Sequence, residues 1–224
     1  MGWLIRSINS SIGKKFIMAL TGLSLILFLA VHLIGNLTLY WGPEAFNGYV
    51  QTLDVVKPII RVVEVILALV FISHIFYGVW LWIINKIAKA GKYAVNASSK
   101  NSSVYSRTAI ISGSIIFIFL VLHLSTIWFA FNFGYSPSDA PHEYYNMLIV
   151  WFKDPIYSGF YVIAVILLAF HLNHGFQSAF QTLGWNHTKY FPFIKFVGSL
   201  YALIMGVGFA SFPIYFYFFS GGNL

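Results

Sequence analysis

The sequence predicts an all-α integral membrane protein in which five transmembrane helices form one bundle, with residues 1–224 as a single domain. Of its 224 residues, 59% are hydrophobic and only 8% are charged, whereas about 25% of the residues of soluble proteins are charged. Several apolar runs also reach the length of about 20 residues that a helix needs to cross the hydrocarbon core. The polar residues left over are too few for a separate soluble domain.

The apolar runs define the spans in order, at about 16–40, 59–84, 108–132, 155–180 and 196–219. The first run is long enough to span and lacks a small-residue cleavage site, so we expect a transmembrane helix there rather than a signal peptide. The fifth span is rich in aromatic residues and contains no histidine, and we expect it to be a packing or lipid-facing element. The absence of cysteine excludes disulfides, iron–sulfur ligation and covalent haem attachment within this chain.

Basic residues predict the orientation of the bundle, because lysine and arginine collect on the cytoplasmic side of a membrane. Three of them lie opposite the N-terminus (Lys57, Arg61 and Lys153), whereas ten lie on its side: Arg6, Lys14, Lys15, Lys86, Lys89, Lys92, Lys100, Arg107, Lys189 and Lys195. The N-terminus is therefore predicted to be cytoplasmic and the C-terminus to be outside. The six acidic residues fall on or near the outer side: Glu44, Asp54, Glu64, Asp139, Glu143 and Asp154. The net charge of +7 thus reflects topology, and we expect contact with membrane lipid and none with nucleic acid.

Four histidines lie inside the first four spans, where ionisable residues are rare and indicate function by default. Their spacing to small residues repeats: Thr21-Gly22 precedes His32 as Ser112-Gly113 precedes His123, and His74 precedes Gly78 by four positions as His171 precedes Gly175. A single histidine of this kind could merely hydrogen-bond to a neighbouring helix. The joint repetition favours a cofactor site.

Helical rise assigns the four histidines to two depths. Each lies 16 residues into its span, or roughly 24 Å at about 1.5 Å per residue. Because successive spans run in opposite directions, His32 and His123 share an outer layer, and His74 and His171 share an inner layer. The layers are predicted to be roughly 15 to 18 Å apart, less with tilt.

Two imidazoles that arrive at one depth from two helices suit the axial positions of a haem iron. We therefore predict two stacked b-type haems, the outer held by His32 and His123 and the inner by His74 and His171. Zinc normally takes three or four protein ligands and is disfavoured, because each layer offers two nitrogens and no carboxylate. His174 is the alternative to His171, since it follows three residues later on the same broad face.

Glycines support this prediction. A glycine four residues after a histidine lies on nearly the same helical face, where the lack of a side chain lets a macrocycle approach the backbone. Gly22 and Gly113 are predicted to lie near the inner layer, so that the first and third spans also pass close to that haem. His142 and His187 fall in loops and are predicted to be surface histidines.

Several motifs resemble the single-polypeptide, five-helix diheme cytochrome b membrane anchor of bacterial succinate dehydrogenase and fumarate reductase. The motifs are Ser11-Ile12-Gly13-Lys14-Lys15, Ala19-Leu20-Thr21-Gly22 with His32, Glu44-Ala45-Phe46-Asn47, His74-x-x-Tyr77-Gly78 and Phe170-His171-Leu172-Asn173-His174-Gly175. The resemblance covers essentially the whole chain and includes the positions of all four histidines in order. Some family members carry a glutamate near the fourth-span histidine as a proton route. Ala169 and Leu172 occupy the candidate positions here, which puts a proton pathway of that kind in doubt.

The resemblance implies a multi-pass protein of the bacterial cytoplasmic membrane that transfers electrons and carries no dicarboxylate chemistry of its own. Flavin (FAD) and iron–sulfur clusters would belong to a flavoprotein subunit and an iron–sulfur subunit on the cytoplasmic face. Menaquinone would be the electron partner, with either succinate oxidation or fumarate reduction as the direction. The basic segments 1–15 and 86–107 are candidates for subunit docking, with Lys14, Lys15 and Arg107 also placed to face haem propionates.

The quinone site is not assigned by the sequence, although Asn36, Glu44 and Glu64 could supply a polar group near the outer haem. Three other classes remain open. A diheme anchor of a hydrogenase or formate dehydrogenase would share the haems and change the soluble partners. A non-haem transporter or proton channel with a histidine relay, or a structural membrane scaffold with hydrogen-bonded histidines, would bind no haem.

Overall fold

The computed structural model describes residues 10–88, 107–134 and 143–219, together with Gly2 and Arg6. Five helices in these ranges are long and apolar enough to cross a membrane: Ser11–Trp41, Lys57–Ile87, Ala109–Phe133, Pro155–Thr182 and Phe191–Phe219. They coincide with the five predicted spans to within a few residues at each end. The prediction of an all-α, multi-pass membrane protein is therefore confirmed. Several predicted loop residues lie outside the described residues: Lys89, Lys92, Lys100, Asp139 and His142.

Eight α-helices and two short irregular turns make up the described chain. They are α1 Ser11–Asn36, a 3-10 turn Leu37–Trp41, α2 Pro43–Val55, α3 Lys57–Ile87, α4 Ala109–His123, a π-helical turn Leu124–Trp128, α5 Phe129–Phe133, α6 Tyr144–Lys153, α7 Pro155–Thr182 and α8 Phe191–Phe219. We call the end of the bundle at which α1 begins the inner end, and the opposite end the outer end.

Capping residues fix where two of the long helices begin. The Ser10 side chain accepts a hydrogen bond from the Gly13 amide at 3.0 Å at the start of α1. At the start of α7, Asp154 accepts one from the Tyr157 amide at 2.6 Å, and Pro155 follows it at the first helical position. Both caps satisfy amide groups that have no partner inside the helix.

Four of the long helices form a ring in the order α1, α3, α4 and α7, and helices adjacent in this ring approach each other more closely than those on its diagonals. Helices α3 and α4 meet at only a few positions. The fifth long helix, α8, packs outside the ring against α7, α1 and α6. The diagonal partners, α1 with α4 and α3 with α7, are the pairs that carry the histidines of one predicted layer.

Helix α8 has the largest buried share of the five spans, while other side chains along it, such as Phe196, Leu203 and Val207, are exposed. It contributes the buried side chains Met205, Phe209, Phe212 and Phe216, whereas α3 has no buried residue. Glycines allow the close approach: a Cβ atom added at Gly206 would lie 2.9 Å from the Ala169 Cβ of α7. Small residues drive helix association in membranes by permitting such contacts.

The outer end carries two short helices, α2 and α6, in regions that were predicted to be loops. They pack against each other, and Tyr145 of α6 donates its amide hydrogen to Asn47 Oδ1 of α2 at 3.0 Å. Phe46, Met147 and Phe152 from these helices are among the most buried side chains of the described residues. We call α2 and α6 together the outer cap.

Candidate functional site

The outer histidine pair joins α1 to the end of α4. The ring centres of His32 and His123 lie 5.9 Å apart, and their planes are nearly perpendicular at 89°. Each residue comes from a different helix of one diagonal of the ring. The structure therefore brings together the two side chains that helical depth assigned to the outer layer.

The inner histidine pair joins α3 to α7 across the other diagonal. The ring centres of His74 and His171 lie 6.2 Å apart at an interplanar angle of 71°. The ring that lies opposite His74 is thus that of His171, the residue favoured by the repeated spacing, and His174 follows it on the same helix with a half-buried side chain.

The separation of the rings excludes a direct hydrogen bond within either pair. An N–H···N hydrogen bond of up to about 3.2 Å would leave the ring centres at most about 5.5 Å apart, and the observed separations are 5.9 and 6.2 Å. Both values fit an edge-to-face contact, for which ring centres lie about 4.5–7 Å apart. They also fit two imidazoles on opposite sides of one metal ion, whose ring centres would be about 6.3 Å apart.

Hydroxyl groups of neighbouring helices lie beside Nδ1 of the inner histidines. The Thr21 hydroxyl lies 2.8 Å from the Ile17 carbonyl oxygen and 3.3 Å from His74 Nδ1. When its hydrogen is donated to the Ile17 carbonyl, Thr21 Oγ1 can accept a hydrogen bond from a protonated His74 Nδ1. In that tautomer Nε2 keeps the free lone pair that a metal ion requires.

The same arrangement recurs on the other side of the inner pair. The Ser112 hydroxyl donates to the Ala109 carbonyl oxygen at 3.1 Å and lies 3.4 Å from His171 Nδ1. Ser112 is itself buried. The repeated Thr21-Gly22 and Ser112-Gly113 dipeptides thus place one hydroxyl beside each inner imidazole, in a position to accept from Nδ1.

The glycine of each dipeptide makes room for the histidine ring. A Cβ atom added at Gly22 would lie 3.3 Å from His74 Cε1, and one added at Gly113 would lie 3.4 Å from His171 Cε1. The expectation that Gly22 and Gly113 lie beside the inner layer is confirmed. The glycines that follow the histidines differ from each other, since a Cβ atom at Gly78 would meet Met18 Cε at 3.3 Å and one at Gly175 would meet no atom within 4 Å.

Aromatic rings rather than hydroxyls surround the outer pair. The His32 ring stacks on Phe28, with ring centres 5.3 Å apart, and lies 5.8 Å from Phe209 of α8. The His123 ring stacks on Phe119 with a centre separation of 5.6 Å. His123 Nδ1 is buried and has no hydrogen-bond partner among the described residues.

A π-helical turn, Leu124–Trp128, follows His123 directly. Such turns insert an extra residue into an α-helix and occur frequently at functional sites. The turn is also tied to α7, because the Thr126 hydroxyl lies 3.2 Å from the Tyr157 hydroxyl. The end of α4 is thereby held in place immediately beyond the outer histidine.

The three candidate quinone residues have different surroundings. Both carboxylate oxygens of Glu64 are engaged, one with Arg61 Nη1 at 2.7 Å and the other with Trp128 Nε1 at 3.0 Å. Asn36 donates to the backbone carbonyl oxygen of His32 at 2.7 Å. Glu44 is exposed in the first turn of α2. Asn36 therefore bonds within its own helix, one turn after His32. Glu64 links α3 to the π-helical turn that follows α4.

Ala169 and Leu172 lie close to other helices. A Cβ atom added at Gly206 of α8 would lie 2.9 Å from the Ala169 Cβ, and Leu172 is buried.

At the inner end, two lysines lie over tryptophan rings. Lys14 Nζ is 5.3 Å from the Trp80 ring centre, and Lys86 Nζ is 4.9 Å from that of Trp82.

Among the described residues, no cluster of three or more His, Asp or Glu side chains is arranged to hold a metal ion. No family model, curated protein or solved structure matches this chain.

Proposed function

We propose that this chain is the cytochrome b membrane anchor of a bacterial succinate:menaquinone oxidoreductase, which carries electrons between an iron–sulfur subunit and the quinone pool. The observation that carries the proposal is the separation of the ring centres in both histidine pairs, 5.9 and 6.2 Å. These distances suit two imidazoles on opposite sides of one metal ion and are too long for a direct hydrogen bond.

The residues fit two b-type haems. His32 and His123 would hold the outer haem, and His74 and His171 the inner one. When bound, each haem supplies reversible one-electron chemistry, and two histidine ligands leave no open position for oxygen. The ring separations of both pairs and the hydroxyl groups beside Nδ1 of the inner pair support this fit.

The chain's own residues prepare the two sites in different ways. Thr21 and Ser112 hold the protons of the inner imidazoles at Nδ1, which keeps both Nε2 atoms available as ligands. Phe28, Phe119 and Phe209 surround the outer imidazoles with apolar surface and exclude water from them. A dry, shaped environment of this kind is what a protein contributes to the tuning of a redox group.

The soluble partners would dock at the inner end. Lys14 and Lys86 lie there in the described residues, and the remaining lysines of segment 86–107 belong to the same end by sequence. We propose that a flavoprotein subunit and an iron–sulfur subunit bind this basic surface and supply the dicarboxylate chemistry. Menaquinone would react in the outer half of the bundle.

A reduced-minus-oxidised absorbance spectrum of the purified chain, with a haem-to-protein ratio, tests the proposal. We expect the bands of b-type haem and two haems per chain. His171→Ala should leave one haem, whereas His174→Ala should keep two. A chain with no b-type band would refute the proposal and favour a transporter, a channel or a scaffold. If the inner haem were lost only with His174→Ala, His174 would replace His171 as the fourth ligand.

The identity of the soluble partners needs a second experiment. We expect the chain, purified gently from its own membrane, to bring with it a flavoprotein whose flavin is reduced by succinate. A spectrum with two haems together with a copurified hydrogenase or formate dehydrogenase would replace the proposed partners and leave the haem sites standing.

A further inference from the structure

A cavity of about 580 Å³ lies between the inner ends of α7 and α8, away from both histidine pairs. Its wall is almost entirely apolar and includes Phe176 and Phe180 of α7 and Phe193, Ile194 and Val197 of α8. Ligand pockets commonly have volumes of about 300–1,000 Å³. The cavity is partly open, so a chain-like molecule could enter it from the side.

Polar groups gather where α7 gives way to α8. His187 and Tyr190 line the cavity there, with ring centres 5.7 Å apart. Lys189 is exposed beside them, and its Nζ lies 5.5 Å from the Tyr190 ring centre. The site therefore combines a long apolar wall with a cationic mouth.

The His187 ring presents a hydrogen-bond donor at this mouth. Its Nδ1 accepts a hydrogen bond from the Lys189 backbone amide at 3.2 Å. Because Nδ1 is the acceptor, the proton of the neutral imidazole is on Nε2. His187 Nε2–H and the Lys189 ammonium can then both donate to the oxygens of one anionic group.

The charge distribution favours an anion over a neutral ligand. The sequence contains no acidic residue from position 155 to its end, so neither α7 nor α8 has a carboxylate to neutralise Lys189 or Lys195. Exposed aromatic residues at the mouth, Trp185 and Tyr190, are of the type that lies at the membrane–water boundary. Basic pockets between transmembrane helices at that level are typical binding sites for anionic lipid head groups.

We propose that this groove between α7 and α8 binds one anionic phospholipid, with an acyl chain along the apolar wall and the phosphate at His187 and Lys189. A quinone has an apolar tail but no charge that would use the lysine. A peptide from a soluble partner would have to combine an acidic group with a run of apolar side chains. The phospholipid provides both features in one molecule that is abundant in the surrounding bilayer.

The test is native mass spectrometry of the full chain in detergent, titrated with phosphatidylglycerol or with phosphatidylcholine of the same acyl chains. We expect one phosphatidylglycerol to bind in preference to phosphatidylcholine. Lys189→Gln should lower that preference about fivefold, since a lysine near the membrane surface contributes about one such factor. Lys86→Gln, which removes the same charge at the same end but on α3 and away from the groove, should lower the preference clearly less than Lys189→Gln does.

A second pair of variants tests the apolar wall. Val197→Phe fills the groove and should abolish retention of the lipid, whereas Leu200→Phe, exposed on α8 outside the groove, should not. Circular dichroism confirms that both variants keep their helix content. Equal binding of the two lipids, retention by Val197→Phe, or displacement of phosphatidylglycerol by an uncharged menaquinone analogue would each overturn the proposal.

Discussion

The inner and outer histidine pairs have nearly the same ring separation but are held by different forces. His74 and His171 each have a hydroxyl acceptor at Nδ1 and a glycine behind the ring. His32 and His123 lie against phenylalanine rings, and the Nδ1 atom of His123 has no partner. The inner pair is fixed by polar contacts from neighbouring helices, and the outer pair by apolar packing under the outer cap.

This difference shows that two histidine pairs can be held in different ways in the same bundle. A hydrogen bond at Nδ1 raises the basicity of an imidazole ligand and fixes its orientation. Aromatic packing also fixes the orientation of the imidazole ring, but it provides no hydrogen bond to Nδ1 and makes the surroundings of the ring less polar. We therefore expect the two haem sites to respond to different substitutions, and each prediction below perturbs one pair while the other serves as reference.

The largest effect is expected from Phe209→Ala, which removes a buried ring of α8 beside His32. Phe209 is 4% exposed, and truncation of a buried phenylalanine costs about 3–5 kcal/mol. We expect a marked fall in thermal stability and a change in the outer haem band, with the inner band unchanged. Phe218→Ala, on the exposed side of α8, should change neither property, and an equal loss in both variants would show that Phe209 has no special role.

Much of this comparison could be predicted from the sequence, because length and hydrophobicity dominate the location of membrane spans. The grouping of His32 with His123 and of His74 with His171 followed from helical rise alone, since alternating spans leave little freedom in depth. The ligands themselves stay a prediction. The structure confirms the five spans and the position of Gly22 and Gly113 beside the inner histidines.

The outer cap could not be predicted in the same way. Helices α2 and α6 are too short to span, and their burial depends on contacts such as Tyr145 with Asn47, which join residues distant in sequence. The choice between packing and lipid contact for α8 stayed open for a similar reason, since a uniformly apolar helix can face lipid or protein with the same composition. Its glycines were the available signal, because Gly198, Gly206 and Gly208 mark close helix contacts.

The second largest effect is expected from Thr21→Val, which keeps the shape of the side chain and removes the acceptor for His74. Loss of an outer-sphere hydrogen bond to a metal ligand typically weakens affinity about 10–100-fold. We expect weaker retention of the inner haem and a shift of its reduction potential, measured by redox titration. Thr21→Ser should restore both values, which a purely structural role for the methyl group would not do.

Ser112→Ala provides the matched change on the His171 side. It should affect the same haem as Thr21→Val and leave the outer haem unaltered. If Thr21→Val or Ser112→Ala shifted the outer potential instead, the distinction between polar and apolar support would be wrong.

A smaller effect is expected from Gly22→Ala. The new Cβ atom would lie 3.3 Å from His74 Cε1, so the ring must move by a few tenths of an ångström. Overpacking costs about 1 kcal/mol at this lower end, and the gain in helix propensity is about 1 kcal/mol, so net stability should hardly change. The inner haem spectrum should nevertheless shift. Gly159→Ala, where a Cβ atom meets nothing within 4 Å, should raise stability and leave both spectra alone.

The smallest effect concerns the polar link between α6 and the end of α2. Burial, followed by the nearby Asp54 carboxylate, raises the pKa of the Tyr144 phenol in the folded chain. A raised phenol pKa contributes stability that is present below the unfolded pKa of about 10 and is lost as the pH rises through the folded value. Asp54→Asn should therefore lower the Tyr144 pKa and weaken this alkaline sensitivity.

The stability change at neutral pH should be about 0.5 kcal/mol or less, because the Asp54–Lys57 ion pair is largely exposed. Ultraviolet titration of tyrosinate, compared between chains with Tyr144 and with Tyr144→Phe, isolates this one phenol. Since we attribute the enclosure of the outer pair to apolar packing, Asp54→Asn should leave the outer haem spectrum unchanged. A shift of that spectrum would mean that polar contacts in the cap also support the outer site, and the two histidine pairs would then differ less than their immediate neighbours indicate.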